Sequence, residues 1–364
     1  MPAYGAEKWL EPYEGRLSRT VLRGRRCSNA PLLPDQVHGV DGNGKAVLRK
    51  QLRRDQVLTF FVQTPPCLIG MEACGGAHFW ARKLQQLGHQ VRLMAPQFVK
   101  PYVKSNKNDR ADAEAICEAV ARPNMRFVAV KNTEQQAVLA LHRVRQGFVR
   151  ERTAQGNQIR GLLAEFGQVI PQGLAQLRQR VPEILEDASN GLPGAFRLLV
   201  QRLLDHLNLL EAQVSELNAQ IIAWHRAHAD SQKLEQIPGI GPITASALVA
   251  SVGDAAQFSC GRELSAWIGL VPRQHSSGGK ERLLGISKRG DVYLRTLLIH
   301  GARTLVQLAQ LHPERYQWLA ALIGRSNANI AAVAVANKNA RIAWAVLAHG
   351  RAYVANYRPM QQAA

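Results

Sequence analysis

Two hydrophobic patterns divide the chain near residue 132. Between residues 36 and 130, short apolar runs alternate with helical segments. The runs 37–40 and 46–52 flank the turn sequence Asp-Gly-Asn-Gly, which predicts a β-hairpin. The runs 67–71, 90–94 and 126–130 have strand length, and helices are predicted over 79–87 and 112–121. Strands that alternate with helices predict an α/β sheet domain.

From residue 133 the pattern is helical, with breaks predicted at Pro171 and Pro182. The following long helix carries apolar residues at alternating steps of four and three, which is the heptad pattern of a helical seam. The seam consists of Phe196, Val200, Leu203, Leu207, Leu210, Val214, Leu217, Ile221 and Trp224. Packing within a helical hairpin of the same chain and a dimer-forming coiled coil both fit this seam.

The segment that begins at Gln236 has the pattern of a helix-hairpin-helix. It reads Ile-Pro-Gly-Ile-Gly-Pro from Ile237, with Gly239 and Gly241 flanking one apolar residue before a helix start. Glycine permits a tight turn and a close approach to a phosphate, and the next helix offers unpaired N–H groups at its N-terminus. This segment is therefore a candidate phosphate contact.

A Gly- and Lys-rich loop downstream carries two serines, Ser276 and Ser277, with no large side chain to bury them. Their hydroxyls can bind or attack a phosphodiester, or can simply hydrogen-bond within the loop. Six cations flank the loop and favour phosphate contact. These are Arg273, Lys280, Arg282, Lys288, Arg289 and Arg295.

Composition favours a polyanionic partner. The chain has 364 residues, of which 46% are hydrophobic, and a net charge of +19. Such a surplus of cations points to nucleic acid more than to a membrane surface. No apolar run is expected to span a membrane, and no signal peptide is recognised. The five cysteines show no metal-ligand spacing or disulfide framework, which is typical of a reducing, cytoplasmic compartment.

Three acidic residues occupy positions suited to metal binding. Glu72 follows the apolar run 67–71, and Asp109 and Asp112 lie three residues apart at a predicted helix start. Carboxylates clustered at strand and helix ends can hold the two ions of a phosphoryl-transfer site. The alternative is that Asp109 caps the helix and Asp112 complements its dipole.

From about Gln36 to near the C-terminus, these motifs resemble the insertion-sequence transposases called DEDD transposases. That family joins a RuvC-like N-terminal domain to a serine-bearing C-terminal domain. The resemblance implies that Glu72, Asp109 and Asp112 are three of four acids that bind Mg²⁺, and that Ser277 is the nucleophile that links to a DNA phosphate. It also implies homo-oligomers that share active sites, an element-encoded guide RNA, and a nucleoid-associated protein that recombines DNA.

Residues 1–35 depart from that family. The first Asp of the family belongs to an opening strand before residue 36, where this chain has Pro31 and Pro34 instead. The expected architecture is thus an incomplete ribonuclease-H-like sheet over 36–132 after a poorly ordered 1–35. A helical, coiled-coil-like linker follows over 133–230, and a helix-hairpin-helix serine domain over 231–364.

The missing Asp leaves more than one function open. The first hypothesis is a transposase impaired by the missing acid. The alternatives are a catalytically inactive nucleic-acid-binding remnant and, less favoured, a junction-type nuclease.

Overall fold

The computed structural model describes residues 19–23, 35–104 and 109–355. The chain divides into a sheet unit, residues 1–132, and a helical unit, residues 133–364. Each unit is described by itself.

The sheet unit is built on a mixed sheet that has six strands in its described residues, in the order β3-β2-β1-β4-β5-β6. Strand β1 pairs antiparallel with β2 and parallel with β4, and β4 pairs parallel with β5. The strands are β1 (Arg19–Arg23), β2 (Asp35–Val40), β3 (Ala46–Leu52), β4 (Leu68–Glu72), β5 (Gln90–Met94) and β6 (Phe127–Val128).

The expectation that residues 1–35 leave the sheet incomplete is wrong. Residues Arg19–Arg23 form a paired strand in the middle of the sheet, with Val21 opposite both His38 and Gly70. Its sequence, Arg-Thr-Val-Leu-Arg, has β-branched and aliphatic residues at its centre, which suit a strand. Pro31 and Pro34 follow this strand in the sequence and lie outside the described residues. The strand contains no acidic residue.

Helices cover both faces of the sheet. The helices are α1 (Gln56–Val62), α2 (Ala77–Gln86), α3 (Pro96–Val99) and α4 (Asp109–Val120). Helices α1 and α2 share a core with Ile69 and Met71 of β4, whereas α4 packs on the opposite face. Gly70 permits that second contact, because a Cβ there would lie only 2.9 Å from the Cβ of Val120. The predicted α/β sheet domain is confirmed.

The helical unit contains a long antiparallel helix pair. It comprises α5 (Thr133–Ala164), α6 (Leu174–Glu186) and α7 (Gly194–Ala227), and α5 packs along α7. Three side-chain pairs fix the antiparallel direction: Arg145 with Asn218, Arg152 with Glu211, and Gln155 with His206.

The heptad seam lies within this pair. Val200, Leu207, Leu210, Val214 and Ile221 are buried, so the pairing within one chain accounts for the seam. The break predicted at Pro182 is wrong, because α6 continues through that residue. Leu177 and Val181 are fully buried, and their packing holds the helix despite the missing N–H of proline.

The remaining elements form one core around α9 and α13. They are α8 (Ala229–Glu235), α9 (Pro242–Val252), α10 (Gly261–Ile268), β7 (Pro272–Gln274), β8 (Leu283–Ile286), α11 (Val292–Leu311), α12 (Gln317–Arg325) and α13 (Ala328–His349). By length and composition α13 could cross a membrane. However, Ala336, Ala340 and Ala343 are fully buried in this core, as expected of an interior helix.

Candidate nucleic-acid interface

The helix-hairpin-helix is formed by α8, the turn 236–241 and α9. Gly239 has a φ of +81°, and its added Cβ would lie 3.0 Å from the carbonyl oxygen of Gly301 in α11. A Cβ on Gly301 would in turn lie 1.8 Å from the oxygen of Gly239. These two glycines therefore bring the turn onto α11 at backbone contact distance.

Gly241 has a different role from Gly239. A Cβ on Gly241 would meet nothing within 4 Å, so packing does not require glycine there. Gly241 is the N-cap of α9 and supplies no side-chain hydrogen bond to the helix start, and Pro242 follows it. The space in front of this helix N-terminus is open, which is the arrangement that suits an approaching phosphate.

A buried histidine joins three helices beneath this turn. His142 of α5 lies 3.1 Å from the Ser246 hydroxyl through Nε2, and 3.0 Å from the Tyr293 hydroxyl through Nδ1. Ser246 donates to the Pro242 carbonyl, so its oxygen accepts from Nε2. Burial and, secondarily, the nearby Arg145 charge lower the pKa of His142 to about 4. Burial also raises the pKa of Tyr293. The histidine is neutral near pH 7, and this network was not foreseen in the sequence.

The two serines lie at the tip of a β-hairpin formed by β7 and β8, residues 272–286, which we call the serine hairpin. Gly278 and Gly279 have φ values of +58° and +76°, and the Lys280 N–H donates to the Ser277 carbonyl at 3.1 Å. Two consecutive positive φ values between such partners are typical of a tight hairpin turn. The turn presents Ser277 and Lys280 opposite each other at the exposed tip.

The two serine hydroxyls differ in their partners. The Ser276 hydroxyl accepts from the Gln274 side chain at 2.9 Å and from the Arg282 N–H at 3.4 Å. The Ser277 hydroxyl is exposed and makes no side-chain hydrogen bond to any other described residue. Local hydrogen bonding therefore accounts for Ser276 but leaves the Ser277 hydroxyl available.

Five of the six predicted cations surround this hairpin on the surface. They are Arg273, Lys280, Arg282, Lys288 and Arg289, and in the described part of the chain none forms an ion pair. Arg295 does not fit the predicted phosphate contact, because it is 8% exposed. Its guanidinium donates to the carbonyls of Ile268 and Arg289 at 2.9 and 3.3 Å. Arg295 holds the base of the hairpin in place.

Two glycines lock the hairpin base against α10. A Cβ on Gly269 would lie 1.9 Å from the Arg289 oxygen, and one on Gly290 would lie 1.8 Å from the Trp267 oxygen. The Lys288 N–H also donates to the Gly269 carbonyl at 3.1 Å. The sequence could have indicated this contact, because the Gly-Leu pair after α10 is typical of a helix end, where glycine commonly adopts a positive φ.

The three predicted acids lie at the sheet. Glu72 is the last residue of β4, and Asp109 and Asp112 are in the first turn of α4. Asp112 is 7% exposed, whereas Glu72 and Asp109 are half-buried. α4 packs across β1, β2 and β4, so all three acids belong to neighbouring elements.

Among the described residues, the acids do not complete a metal centre. In the residues that the structure describes, no group of three or more His, Cys, Asp or Glu side chains is arranged to hold an ion. Strand β1 runs beside β4 and has no carboxylate to contribute. A site that balances two divalent ions needs several converging carboxylates, and this donor set does not fit it.

Comparison with known proteins identifies the class as insertion-sequence transposases. Residues 231–317 match the transposase family IS116/IS110/IS902, and residues 36–167 match the DEDD transposase family of IS110. The chain belongs to this family, whose members act on DNA and are generally metal-dependent. The match begins at Gln36, so the strand Arg19–Arg23 lies outside it.

Individual relatives agree with this family. The chain is 55% identical over 320 residues to a probable family 20 transposase of Pseudomonas aeruginosa, covering 87% of this chain and 95% of the relative. It is 45% identical to the transposase of the element IS1328 of Yersinia enterocolitica, covering 87% of this chain and 94% of the relative. It is 46% identical to the transposase of IS1111A of Coxiella burnetii, covering 87% and 88%.

Proposed function

We propose that this transposase holds DNA through the helix-hairpin-helix and the serine hairpin, with Ser277 as its nucleophile, and that its strand-exchange activity is impaired. The observation that carries the proposal is the contrast between two sites. The Ser277 hydroxyl is exposed among five surface cations, whereas the central strand β1 has no acid.

The basic hairpin supports DNA binding by charge. Lys280 and Arg282 flank the turn, Arg273 precedes it, and none of the three forms an ion pair with a carboxylate of the described residues. Backbone phosphates are the ligands that such cations bind without sequence preference. The open N-terminus of α9 at Gly241 adds N–H donors of the same kind.

The acidic residues of the sheet support the proposal that strand exchange is impaired. Glu72, Asp109 and Asp112 are the acids that we assign to Mg²⁺ in an intact site, and the missing fourth belongs on the strand beside β4. A serine hydroxyl is a weak nucleophile that needs a base or an ion to activate it. Loss of a ligand, with about 1 Å of misplacement, can cost on the order of a hundredfold in rate.

The experiment compares three chains in DNA strand exchange with Mg²⁺. They are this chain, a version whose residues 1–35 are replaced by an Asp-bearing opening strand, and that version with Ser277→Ala. We expect this chain to exchange strands near background, the version with the Asp-bearing strand to exchange them clearly, and the Ser277→Ala version not to exchange them. Equal activity of the first two chains would overturn the impairment, and retained activity of the third would overturn the role of Ser277.

The second candidate is an inactive DNA-binding protein, which the missing acid of β1 favours. It predicts that all three chains bind duplex DNA and that strand exchange by this chain does not exceed that of the Ser277→Ala version. Cleavage of branched DNA without exchange would instead indicate a junction nuclease.

Three further features follow from the resemblance alone. We propose that the protein works as a homo-oligomer with an element-encoded guide RNA, and that it acts at the nucleoid in the cytoplasm. Size measurement of the chain with and without RNA copurified from the host tests the first two.

A further inference from the structure

A groove on the helical unit lies away from the serine hairpin. It has a volume of about 780 Å³ and lies where the start of α10, α12 and α13 meet. The serine hairpin leaves the other end of α10, and eight helical residues span about 12 Å. The groove therefore opens at the opposite end of α10 from the serine hairpin, and Asn337 in its lining donates to the Leu270 carbonyl near the hairpin base at 3.2 Å.

The groove combines an exposed aromatic ring with unneutralised cations. Trp318 of α12 is 49% exposed, and the Lys338 ammonium lies 4.3 Å from its ring centroid. Arg262 and Arg341 line the same groove, and both are exposed. Across the described ranges none of these three cations has an acidic partner within 4 Å. The Lys338 ammonium lies over the ring of Trp318, and 49% of the residue remains exposed to a ligand.

The floor of the groove is fixed by close packing. A Cβ on Gly261 would lie 2.8 Å from the Arg341 carbonyl oxygen, so α10 and α13 touch at the backbone. The Trp344 indole N–H donates to the Ala255 and Phe258 carbonyls at 3.3 and 3.1 Å. Lys338 and Arg341 are three residues apart and so share one face of α13. The cations are held on a rigid support.

We propose that this groove binds a single-stranded segment of nucleic acid, with one base against Trp318 and backbone phosphates at Arg262, Lys338 and Arg341. Single-strand sites in proteins combine a basic groove with an aromatic side chain on which a base stacks. A duplex cannot use the ring, because its bases are stacked on each other and expose only their edges. The proposal adds a second contact surface to the proposed function and rests on that function only for the presence of nucleic acid.

The test measures binding of the full chain to three fluorescent probes of about 15 nucleotides: oligothymidylate, oligouridylate and a duplex. We expect Trp318→Ala to weaken binding of the single-stranded probes about tenfold and Trp318→Phe to weaken it far less, because phenylalanine still stacks. Duplex binding should not change. The thymidylate and uridylate arms show whether the segment is DNA or RNA.

The charges are tested by salt dependence. Lys338→Gln with Arg341→Gln should lower the log–log slope for the single-stranded probe by about 1.4, at ~0.7 for each phosphate. The matched controls are Phe166→Ala, a ring 43% exposed elsewhere in the helical unit, and Arg202→Gln on α7. Neither should weaken binding.

Three results would overturn the proposal. The first is unchanged single-strand affinity in Trp318→Ala, and the second is an equal loss for duplex and single-stranded probes. The third is displacement of the probe by a polyglutamate peptide of equal charge as effectively as by unlabelled oligothymidylate, which would indicate an acidic protein partner. The first and third results leave duplex binding at the serine hairpin intact. In the second, duplex binding by the parent chain still supports the proposed function, so the two proposals are tested separately.

Discussion

The serine hairpin and the acidic residues of the sheet are held in place in different ways. The hairpin is fixed by backbone contacts, since Gly269 and Gly290 bring its base against α10 and buried Arg295 ties the same loop to two carbonyls. Glu72 and Asp109 stand at the ends of secondary-structure elements, where their positions depend on which strand lies beside β4.

This difference explains why the serine hairpin has the arrangement expected from the sequence, whereas the acidic residues do not form the expected metal site. The residues that fix the hairpin base, from Trp267 to Arg295, are close together in the chain. The acidic site that we propose would need a ligand from a strand near the start of the chain, so a change of sequence there would remove that ligand without disturbing the others. The strand Arg19–Arg23 restores the pairing of the sheet but not its chemistry.

The largest expected effect tests whether packing holds the helix-hairpin-helix. In Gly301→Ala the new Cβ would lie 1.8 Å from the Gly239 oxygen, so α11 must move away from the turn. We expect a loss of about 3 kcal/mol in the free energy of unfolding, measured by urea denaturation. The control Gly161→Ala, in an open position of α5, should instead gain about 0.5–1 kcal/mol. If Gly301→Ala is as stable as the parent, close packing does not hold the turn.

The next effect concerns His142, the buried link beneath the turn. Its folded-state pKa is lowered from 6.5 to about 4, so the unfolded chain binds a proton more readily than the folded one. Stability from this group is present above pH 6.5 and is lost as the pH falls toward 4, by up to about 3 kcal/mol. Between pH 4 and pH 6.5, the free energy of unfolding of the parent should rise with pH more steeply than that of His142→Gln. Parallel pH profiles would contradict the assignment.

Sequence patterns predicted much of the fold because their signals are local. The strand pair around Asp-Gly-Asn-Gly, the heptad seam and the Gly239 turn each follow from residues close in the chain. Strand Arg19–Arg23 was missed, because its only signal is five residues without polar alternation, and it becomes a central strand through pairing with β2 and β4. The burial of Arg295 was missed for the same kind of reason: a charge within a basic run looks exposed until the carbonyls that it contacts are in place.

A smaller effect separates surface cations from structural ones at the hairpin. Lys280→Gln and Arg282→Gln should each lower the log–log salt slope for duplex DNA by about 0.9, because each removes one phosphate contact. Affinity measured at several salt concentrations gives this slope. Arg295→Gln should lower thermal stability instead, since it leaves the Ile268 and Arg289 carbonyls without their donor. An unchanged slope for Lys280→Gln would place the DNA elsewhere.

The smallest effect distinguishes the two serines by stability alone. Ser276→Ala removes an acceptor for the Gln274 side chain and the Arg282 N–H, and should cost about 0.5 kcal/mol because these groups are exposed. Ser277→Ala removes a hydroxyl that bonds to no other described side chain, and should leave the melting temperature unchanged. A residue that contributes nothing to the stability of its hairpin, yet stands at the tip among five cations, is free to serve chemistry. If Ser277→Ala destabilised the hairpin more than Ser276→Ala, its hydroxyl would have a structural role, and Ser276 would become the better candidate for the nucleophile.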